Sequence, residues 1–340
     1  MKNKSKIALY ASSAVNRGGT GVYTSRLIDG FKAAGLSEVV AVGFNASANL
    51  FEKFVSEHYT LPRRIKRERY KLLHLPAFGG GIVSGVPYVV TIHDMAFLAN
   101  PNWFSRIRSF YYRYHFPKVA KGAVAIIADS DFTSTEIKKY LHLDSNRVYL
   151  SAPSNYSDDS LFRSAFNISG DYILSTGTIE PRKNIDALLK AWPLVNGKHK
   201  KLTLVVVGRW GWGEKATIGL LEKTPGIRWL GSLHGSLLQS AFAGARLLVY
   251  PSLYEGFGLP PLESAASGVP FVIGPAETLL EIYGEIAAGI SKSSSISIAE
   301  TVLNALEQKP ESEKLRHFAA KFSHRQMAEN TYKIYQKALR

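Results

Sequence analysis

The stretch YILSTGTIEPRKNIDALLKAW, Tyr172–Trp192, shows the pattern that is repeated along the whole chain. A short apolar run typical of a buried strand leads into a turn with Gly177 and Pro181, and the turn leads into apolar residues at helical spacing. Similar strand patterns, separated by helical patterns, are KIALYAS, EVVAVGF, YKLLHLPA, VPYVVTIHD, AVAIIADS and RVYLSAP in the first half, and YILSTG, LTLVVVG, IRWLG, RLLVYPS and PFVIG in the second. This alternation predicts an α/β fold with two doubly wound parallel-sheet domains.

Chain length supports the same division. A chain of 340 residues is longer than a single hydrophobic core usually supports, so two domains are expected. The stretch SAPSNYSDDSLFRSAFNISGD, residues 151–171, is polar and has little periodicity, which is typical of a linker. We therefore predict domains over residues 1–165 and from residue 166 onward, and a helix near the end of the chain in RQMAENTYKIYQKALR.

Composition limits the class of protein. The chain is 46% hydrophobic and 20% charged, as globular domains are, and it contains no apolar run long enough to span a bilayer. Its first apolar run is too short and too soon interrupted to be a signal sequence, and it has no cysteine. Disulfides, thiolate metal sites and cysteine nucleophiles are thereby excluded, and we expect a cytoplasmic protein.

Positive charge is concentrated in the first half. The formal net charge is +15, and residues 1–165 hold 22 of the 42 Lys and Arg residues but 12 of the 27 Asp and Glu residues. The stretch WFSRIRSFYYRYHFPK, Trp103–Lys118, interleaves aromatic residues with Arg106, Arg108 and Arg113. This composition favours contact with an anionic membrane surface. A solvated helix face and nucleic-acid binding through phosphate contacts and stacking are the alternatives.

Candidate ligand-binding residues follow the strands, because α/β domains bind ligands at the carboxyl ends of their strands. Gly18 and Gly19 follow the first strand and precede a helix predicted to begin near Gly21 or Val22, an arrangement that lets backbone N–H groups approach an anion. Their spacing differs from G-x-G-x-x-G, which argues against a nicotinamide enzyme. His93 and Asp94 end another strand, where a histidine can position a reacting oxygen and a carboxylate a substrate hydroxyl.

Two cations follow the first strand of the second half. Arg182 and Lys183 are predicted in the first turn of a helix, where the helix dipole is unfavourable for a cation. An anion bound between the cations and the helix N-terminus would offset this cost, so the pattern favours phosphate binding. By contrast, the Asp-x-Asp of Asp129–Asp131 is interpreted as a helix N-cap region rather than a metal site. No spacing of His, Asp or Glu elsewhere resembles a zinc or iron site, so no metal is expected.

The stretch YPSLYEGFGLPPLESAASGVP, Tyr250–Pro270, brings two carboxylates to one helix N-terminus. Pro260 and Pro261 suit the first turn of a helix that ends at Gly268, with Glu255 in the loop before it and Glu263 near its start. The backbone between them offers free N–H donors. Carboxylates around a phosphate-binding turn suit a ligand with hydroxyls on both sides of phosphates, which is a nucleotide-sugar. A capping role for one glutamate is the alternative.

These residues resemble a known family. Glu255 and Glu263, with seven residues between them, resemble the E-x7-E motif of the GT-B retaining glycosyltransferases of family 4. The resemblance extends in family order through RGGTGVYTSRL, VVTIHD, STGTIEPRKN, LVVVGRWGW and LLVYPSLYEGFG, and in particular to bacterial mannosyltransferases of surface polysaccharide synthesis. It implies two Rossmann-like domains facing across a cleft, residues 1–165 for the acceptor and 166–322 for the nucleotide-sugar, and a helix over 323–340 that packs back on the first domain.

The resemblance also implies roles. Glu255 would contact the donor sugar and Glu263 the ribose. Lys183 and Arg182 would neutralise the diphosphate, and His93 would lie against the donor sugar. Asp94, Gly18 and Gly19 would shape the acceptor side. The residues that would line the sugar and diphosphate are Gly256, Phe257, Gly258 and Leu259.

The function predicted is a retaining, metal-independent hexosyltransferase that needs no cofactor. It would move mannose from GDP-mannose to a lipid-linked or growing polysaccharide acceptor, at the inner face of the cytoplasmic membrane. The alternative donors are UDP-glucose and UDP-N-acetylglucosamine. An α/β protein that binds nucleic acid or another polyanion, and a glycan phosphorylase or non-catalytic binder of the same fold, are alternatives of other classes. The oligomeric state is left open.

Overall fold

The computed structural model describes residues 6–15, 18–43, 59–77, 86–154, 156–213 and 215–340. The chain forms two compact units, which are called unit 1 and unit 2 below. Unit 1 consists of Met1–Ser151 and Phe322–Arg340, and unit 2 of Ala152–Lys321.

Unit 1 is built on a parallel sheet that has six strands within the described residues, in the order β2-β1-β3-β4-β5-β6. The strands are β1 Ile7–Tyr10, β2 Val39–Val42, β3 Leu72–Leu75, β4 Tyr88–Ile92, β5 Ala125–Ala128 and β6 Asn146–Arg147. The helices are α1 Gly19–Ala33, α2 Leu61–Arg67, α3 Ala96–Ala99, α4 Arg106–Gly122 and α5 Asp131–Leu141. Every residue of β1, β3 and β4 is buried, as expected for parallel strands that are covered on both faces.

Unit 2 repeats this plan. Its parallel sheet has the order β12-β11-β10-β7-β8-β9 among the described residues. The strands are β7 Tyr172–Thr176, β8 Thr203–Val207, β9 Ile227–Trp229, β10 Leu247–Tyr250, β11 Phe271–Ile273 and β12 Ala288–Gly289. The helices are α6 Ser160–Phe166, α7 Ile185–Lys198, α8 Lys215–Lys223, α9 Gly235–Ala243, α10 Leu259–Ser267, α11 Glu277–Tyr283, α12 Ser295–Glu307 and α13 Ser312–Ala320.

The last helix, α14 His324–Ala338, follows unit 2 in sequence but packs on α1 of unit 1. Gly30 makes this close approach possible, because a Cβ atom at that position would lie 2.2 Å from the carbonyl oxygen of His324. Tyr335 of α14 is fully buried and its hydroxyl lies 2.6 Å from Nδ1 of His74, which is also fully buried. The C-terminal helix is therefore an integral part of unit 1.

The division of the chain lies earlier than the sequence predicted. We placed it after residue 165, whereas unit 2 begins at Ala152. The reason is α6, which interrupts the predicted linker. Phe162 of α6 is fully buried, its ring lies 5.3 Å from that of Tyr172, and its backbone N–H donates to Ser240 Oγ at 3.0 Å. These contacts attach the segment to unit 2.

Other local differences concern element ends. Each predicted apolar run contains a strand, but RVYLSAP contributes only Arg147, the last residue of β6. Strand β12 was not predicted, because Ala288 and Gly289 give no strand signal. Helix α1 begins at Gly19 rather than near Gly21, since the carbonyl of Gly18 already accepts from the backbone of Gly21 and Val22.

Candidate functional site

In unit 2, two loops that carry predicted site residues leave neighbouring strands. Strands β7 and β10 are paired in parallel, so their carboxyl ends lie side by side. The loop after β7 carries Arg182 and Lys183, and the loop after β10 carries Glu255. The backbone N–H of Leu253 donates to the carbonyl of Arg182 at 2.8 Å, which holds the two loops together.

Lys183 and Glu255 form a buried ion pair between these loops. Lys183 Nζ lies 2.5 Å from Glu255 Oε1, and the two side chains are 10% and 7% exposed. Tyr250, the last residue of β10, lies between them: Lys183 Nζ donates to its hydroxyl at 2.7 Å, and the hydroxyl donates to Glu255 Oε1 at 2.7 Å. Neither charge is exposed to bulk water, so each depends on the other for compensation.

Arg182 adds a second cation and Glu180 a second carboxylate. Arg182 Nη1 lies 3.3 Å from Glu255 Oε2, and its Nε lies 2.5 Å from Glu180 Oε1. Two cations and two carboxylates give the cluster a formal charge of zero. We call Glu180, Arg182, Lys183, Tyr250 and Glu255 the loop cluster.

The two cations are not in the first turn of a helix, as the sequence predicted. They lie in the short 3-10 turn Pro181–Lys183 that precedes α7. Asn184, with a φ of +53°, separates this turn from the helix, and the acidic residue of the first turn of α7 is Asp186. The cations are therefore offset by carboxylates of the loop cluster rather than opposed by the dipole of α7.

Burial and charge act against each other on these groups. Burial lowers the pKa of Lys183, and Glu255 limits that effect. Burial alone would raise the pKa of Glu255, but Lys183 and Arg182 outweigh it, so the pKa of Glu255 is lowered. Burial and Glu255 together raise the pKa of Tyr250 well above its ordinary value. The ion pair therefore opposes the effect of burial on both of its charged groups.

The start of α10 follows directly after this cluster. Its N-cap is Gly258, whose φ of +85° is a conformation that favours glycine, and Pro260 and Pro261 lie in the first turn. The N-cap residue Gly258 makes no side-chain cap hydrogen bond, and a capping role for one glutamate stays an alternative. The carbonyls of Glu255 and Gly258 accept from Thr278 Oγ1 at 2.8 Å and Tyr283 Oη at 2.7 Å, which fixes the loop.

The other predicted donor-binding residues lie around that N-terminus. Gly256 and Phe257 are buried in the loop, Leu259 is the first residue of α10, and Glu263 is half-buried further along the helix. The ring of Phe257 packs edge-on against that of Tyr283, with 6.2 Å between centroids. The helix ends at Gly268, as predicted.

In unit 1, His93 follows β4 and its two ring nitrogens have partners. Nδ1 lies 2.6 Å from Asp129 Oδ2, and Nε2 donates to the carbonyl of Pro76 at 2.9 Å. The ring of Tyr23 packs edge-on against it at 4.8 Å. Asp94, the next residue, accepts from the backbone N–H of Ala96 at 3.0 Å through Oδ1 and so stabilises the turn into α3.

The glycine loop and the basic stretch are also in unit 1. Gly18 is the N-cap of α1 and Gly19 its first residue. Arg106, Arg108 and Arg113 belong to α4, although the side chains of the first two lie outside the described residues. Arg113 lines a cavity of about 700 Å³ whose other lining residues are Pro101, Asn102, Phe104, Ser109, Phe110 and Tyr114.

Among the described side chains, no three His, Cys, Asp or Glu residues are grouped so as to hold a metal ion. None of the described helices is long and apolar enough to cross a membrane.

Three side chains that contact the predicted site residues were not themselves predicted as site residues. Tyr250 and Glu180 complete the loop cluster, and Asp129 binds His93. Asp129 was interpreted only as part of an N-cap region, and the neighbouring Ser130 does cap α5 by accepting from Thr133 N. Tyr250 and Asp129 lie at the carboxyl ends of strands, and that position was the available signal.

Two family models match the chain. The model described as Glycosyltransferase Family 4 matches residues 17–150, and the one described as Glycosyl transferases group 1 matches residues 158–322. The O-antigen chain mannosyltransferase B of Escherichia coli is 31% identical over 233 residues, which are 64% of this chain and 61% of that protein. The match therefore covers about three fifths of that relative.

Solved structures show the same fold. Sucrose-phosphate synthase from Thermosynechococcus elongatus superposes with a TM-score of 0.77 at 16% identity, over 98% of this chain and 99% of that one. Anabaena HepE in complex with UDP and glucose superposes with a TM-score of 0.74 at 16% identity, over 98% of this chain and all of that one (100%).

Two parallel-sheet units, with the last helix returned to the first of them, define a GT-B protein, and the predicted fold class is confirmed. The chain belongs to the glycosyltransferases of family 4, with the group 1 family over its second unit.

Proposed function

We propose that this protein is a retaining, metal-independent glycosyltransferase that moves mannose from GDP-mannose to a lipid-linked or growing polysaccharide acceptor in bacterial cell-surface glycan synthesis. The observation that carries the proposal is the loop cluster, in which Lys183, Arg182 and Glu255 meet beside the glycine-rich start of α10. Cations, a carboxylate and backbone N–H donors are the groups that a sugar diphosphate requires.

In the proposed reaction the diphosphate lies against the N-terminus of α10, where the helix dipole favours an anion. Arg182 and Lys183 stabilise the negative charge that develops as the bond between the anomeric carbon and the phosphate oxygen breaks. The acceptor hydroxyl oxygen forms the new bond to that carbon on the same face. Its proton passes to the departing phosphate, which leaves as the nucleoside diphosphate.

Glu255 then has two tasks. Its Oε1 atom accepts from Lys183 and Tyr250, while Oε2 has Arg182 at 3.3 Å. A carboxylate oxygen has two lone pairs, so Oε2 has capacity for a hydroxyl of the donor sugar. Glu263, on α10, is proposed to bind the ribose hydroxyls. Because both cations are side chains, we expect the reaction to proceed in the presence of a metal chelator.

Mannose is favoured because the relative that is 31% identical is named as an O-antigen chain mannosyltransferase. The acceptor is proposed to be lipid-linked because the cavity beside α4 combines aromatic rings with Arg113. Phe110 and Tyr114 are 75% and 63% exposed, and Lys118 Nζ lies 3.8 Å from the centroid of the Tyr114 ring. Exposed aromatic rings beside cations are suited to the surface of an anionic membrane.

The first test is a thermal-shift panel with GDP, UDP, ADP, GDP-mannose, UDP-glucose and UDP-N-acetylglucosamine, because a ligand that binds only the folded state raises the apparent stability. Selective stabilisation by GDP and GDP-mannose supports the proposed donor. A selective response to uridine nucleotides would replace the donor and keep the transferase. A response to oligonucleotides alone would replace the transferase with a polyanion-binding protein.

Chemistry and membrane contact need separate tests. Transfer of labelled mannose in the presence of a chelator, with the anomeric configuration of the product read by NMR, tests retention and metal independence; an inverted product or complete loss with chelator would contradict them. Pelleting with anionic liposomes should weaken in Phe110→Ser and Arg113→Gln but not in the charge-matched control Lys314→Gln, since Lys314 is an exposed residue of unit 2.

A further inference from the structure

His93 and Asp129 are brought together by strand register. Strands β4 and β5 are parallel neighbours in which Ile92 pairs with Ala128. The next residue of each strand is therefore at the same level of the sheet edge, and these residues are His93 and Asp129. The distance of 2.6 Å between His93 Nδ1 and Asp129 Oδ2 follows directly from this register.

The contacts fix the number of hydrogens on the pair. A backbone carbonyl only accepts, so His93 Nε2, 2.9 Å from the carbonyl of Pro76, carries a hydrogen. An imidazole nitrogen and a carboxylate oxygen without a hydrogen between them would both be acceptors and would repel each other at 2.6 Å. A second hydrogen therefore lies between Nδ1 and Oδ2, and the pair holds one proton more than a neutral imidazole beside a carboxylate.

The surroundings of the pair contain few other charges. The titratable groups that face His93 among the described residues are Asp129 after β5, Asp94 next in the chain, Tyr23 of α1 and His74 of β3. Burial raises the pKa of Tyr23, and burial and His93 lower the pKa of His74 to about 3, so both are neutral near pH 7. The charge that acts on the imidazole comes from the two aspartates.

The same balance acts within the pair. Burial alone would lower the pKa of His93, but Asp129 outweighs it and the pKa is raised. Burial also raises the pKa of Asp129. Asp129 is 1% exposed, and its Oδ1 atom has no hydrogen-bond partner within the part of the chain that the structure describes. Such a carboxylate is costly to bury unless a cation compensates it, and His93 is the partner at hand.

We propose that Asp129 is a positioning residue that keeps His93 in its imidazolium form, with both ring nitrogens donating. Asp129 fixes the ring through Nδ1, the ring of Tyr23 makes a T-shaped contact with it, and Nε2–H donates to the carbonyl of Pro76. An oxygen of the donor sugar or its phosphate takes the place of that carbonyl when the donor binds. This last step rests on the proposed function, whereas the protonation of the pair does not.

The protonation is tested by ¹⁵N NMR of the full chain with labelled histidine. The chain has nine histidines, and the signal lost in His93→Gln assigns the one of interest. We expect both nitrogens of His93 to show protonated shifts at pH 7 in the unsubstituted protein. An unprotonated Nδ1 at pH 7 would overturn the proposal, and this measurement does not depend on a variant of Asp129 being folded.

Substitution of Asp129 gives the second arm. In Asp129→Asn the midpoint of the His93 titration should fall by about one to three pH units, the usual effect of an opposite charge at contact distance. The matched control is Asp131→Asn, which removes a surface carboxylate paired with Arg147 and should leave the His93 titration unchanged. Equal shifts in the two variants would show that Asp129 has no specific effect.

Activity separates this inference from the function on which it builds. If His93 acts on the donor, the alkaline limb of the pH profile of kcat/KM should move to lower pH in Asp129→Asn in step with the NMR titration. If the NMR result holds but the profile does not move, the pair stands as described and the donor-binding role of His93 is wrong. A moved profile without an altered titration would overturn the role of Asp129.

Discussion

The buried pair of Lys183 and Glu255 makes a quantitative prediction about stability. In Glu255→Ala the ammonium of Lys183, whose side chain is 10% exposed, loses a carboxylate at 2.5 Å and keeps only the neutral hydroxyl of Tyr250 at 2.7 Å. Removing one partner of a buried pair costs about 3–5 kcal/mol, because the other charge is left uncompensated. Glu255→Gln keeps an acceptor for Lys183 and should cost less, about 1–3 kcal/mol.

The two units allow the effect to be located. Unit 2 holds most of the tryptophans, which are Trp192, Trp210, Trp212 and Trp229, whereas unit 1 holds Trp103. Urea unfolding followed by tryptophan fluorescence therefore reports mainly on unit 2. The matched control is Glu311→Ala, since Glu311 pairs with Lys314 at 2.8 Å with its side chain 68% exposed. Loss of such a surface pair should cost at most about 1 kcal/mol.

The double variant Lys183→Met, Glu255→Met completes the test. Replacing both charges with apolar side chains of similar size should recover much of the stability that Glu255→Ala loses, because no buried charge is then left alone. The claim that Lys183 and Glu255 compensate each other's buried charge would be contradicted by either of two results. One is a Glu255→Ala variant no less stable than the Glu311→Ala control, and the other is a double variant that is the least stable of all. The Gln variant is also the one to use for activity, since the Ala variant would confound catalysis with unfolding.

Three further predictions concern both units. Tyr335→Phe removes the hydroxyl that hydrogen-bonds Nδ1 of buried His74 and should lower the stability of unit 1 by about 1–3 kcal/mol in thermal unfolding; an unchanged midpoint would contradict a stabilising role of this hydrogen bond. Gly30→Ala should destabilise the packing of α14 on α1. Gly19→Ala in the same helix should be neutral or stabilising by up to about 1 kcal/mol, because no other described part of the chain lies within 4 Å of its new Cβ; equal effects of the two substitutions would refute this. The pKa of Glu255 in the folded state is below its ordinary value of 4.5. The stability that the Glu255 carboxylate contributes is therefore present above pH 4.5 and is lost as the pH falls through the folded-state pKa. In a plot of the urea midpoint against pH, Glu255→Gln should reduce the fall at acid pH.

Much of the fold could be predicted because the central strands of both sheets are buried on both faces. Apolar runs such as VPYVVTIHD are typical of buried parallel strands, and each one except RVYLSAP contains a strand. The start and end of α10 could also be predicted from the sequence. Proline is sterically suited to the first turn of a helix, and glycine is suited to the left-handed conformation of Gly268 after the last turn. The boundary of unit 2 was not, since the helix around Phe162 is set by tertiary burial rather than by a periodic pattern.

The candidate site was predictable in its residues but not in its charge balance. The sequence predicted Arg182, Lys183 and Glu255 as separate candidate ligand-binding groups on two loops. These residues contact one another because β7 and β10 are neighbours in the sheet. The order of strands in a sheet cannot be deduced from local sequence patterns. The position of the cations likewise depends on Asn184, whose positive φ ends the turn before the helix begins. Asp129 was missed for the same reason as the cluster, because its partner lies across a strand pair.

The neutrality of the loop cluster has a consequence for the proposed donor. A diphosphate that met two uncompensated cations would gain attraction from their excess charge, and its affinity would fall steeply with salt. Here Glu180 and Glu255 already balance Arg182 and Lys183, so the diphosphate meets a cluster of no net charge. Its binding must then depend on directed hydrogen bonds, from the N-terminus of α10 and from cations that turn toward it, because formal charge alone gives no attraction. Donor affinity in this protein should therefore depend only weakly on ionic strength, whereas the proposed contact of the basic helix α4 with an anionic membrane should weaken at high salt.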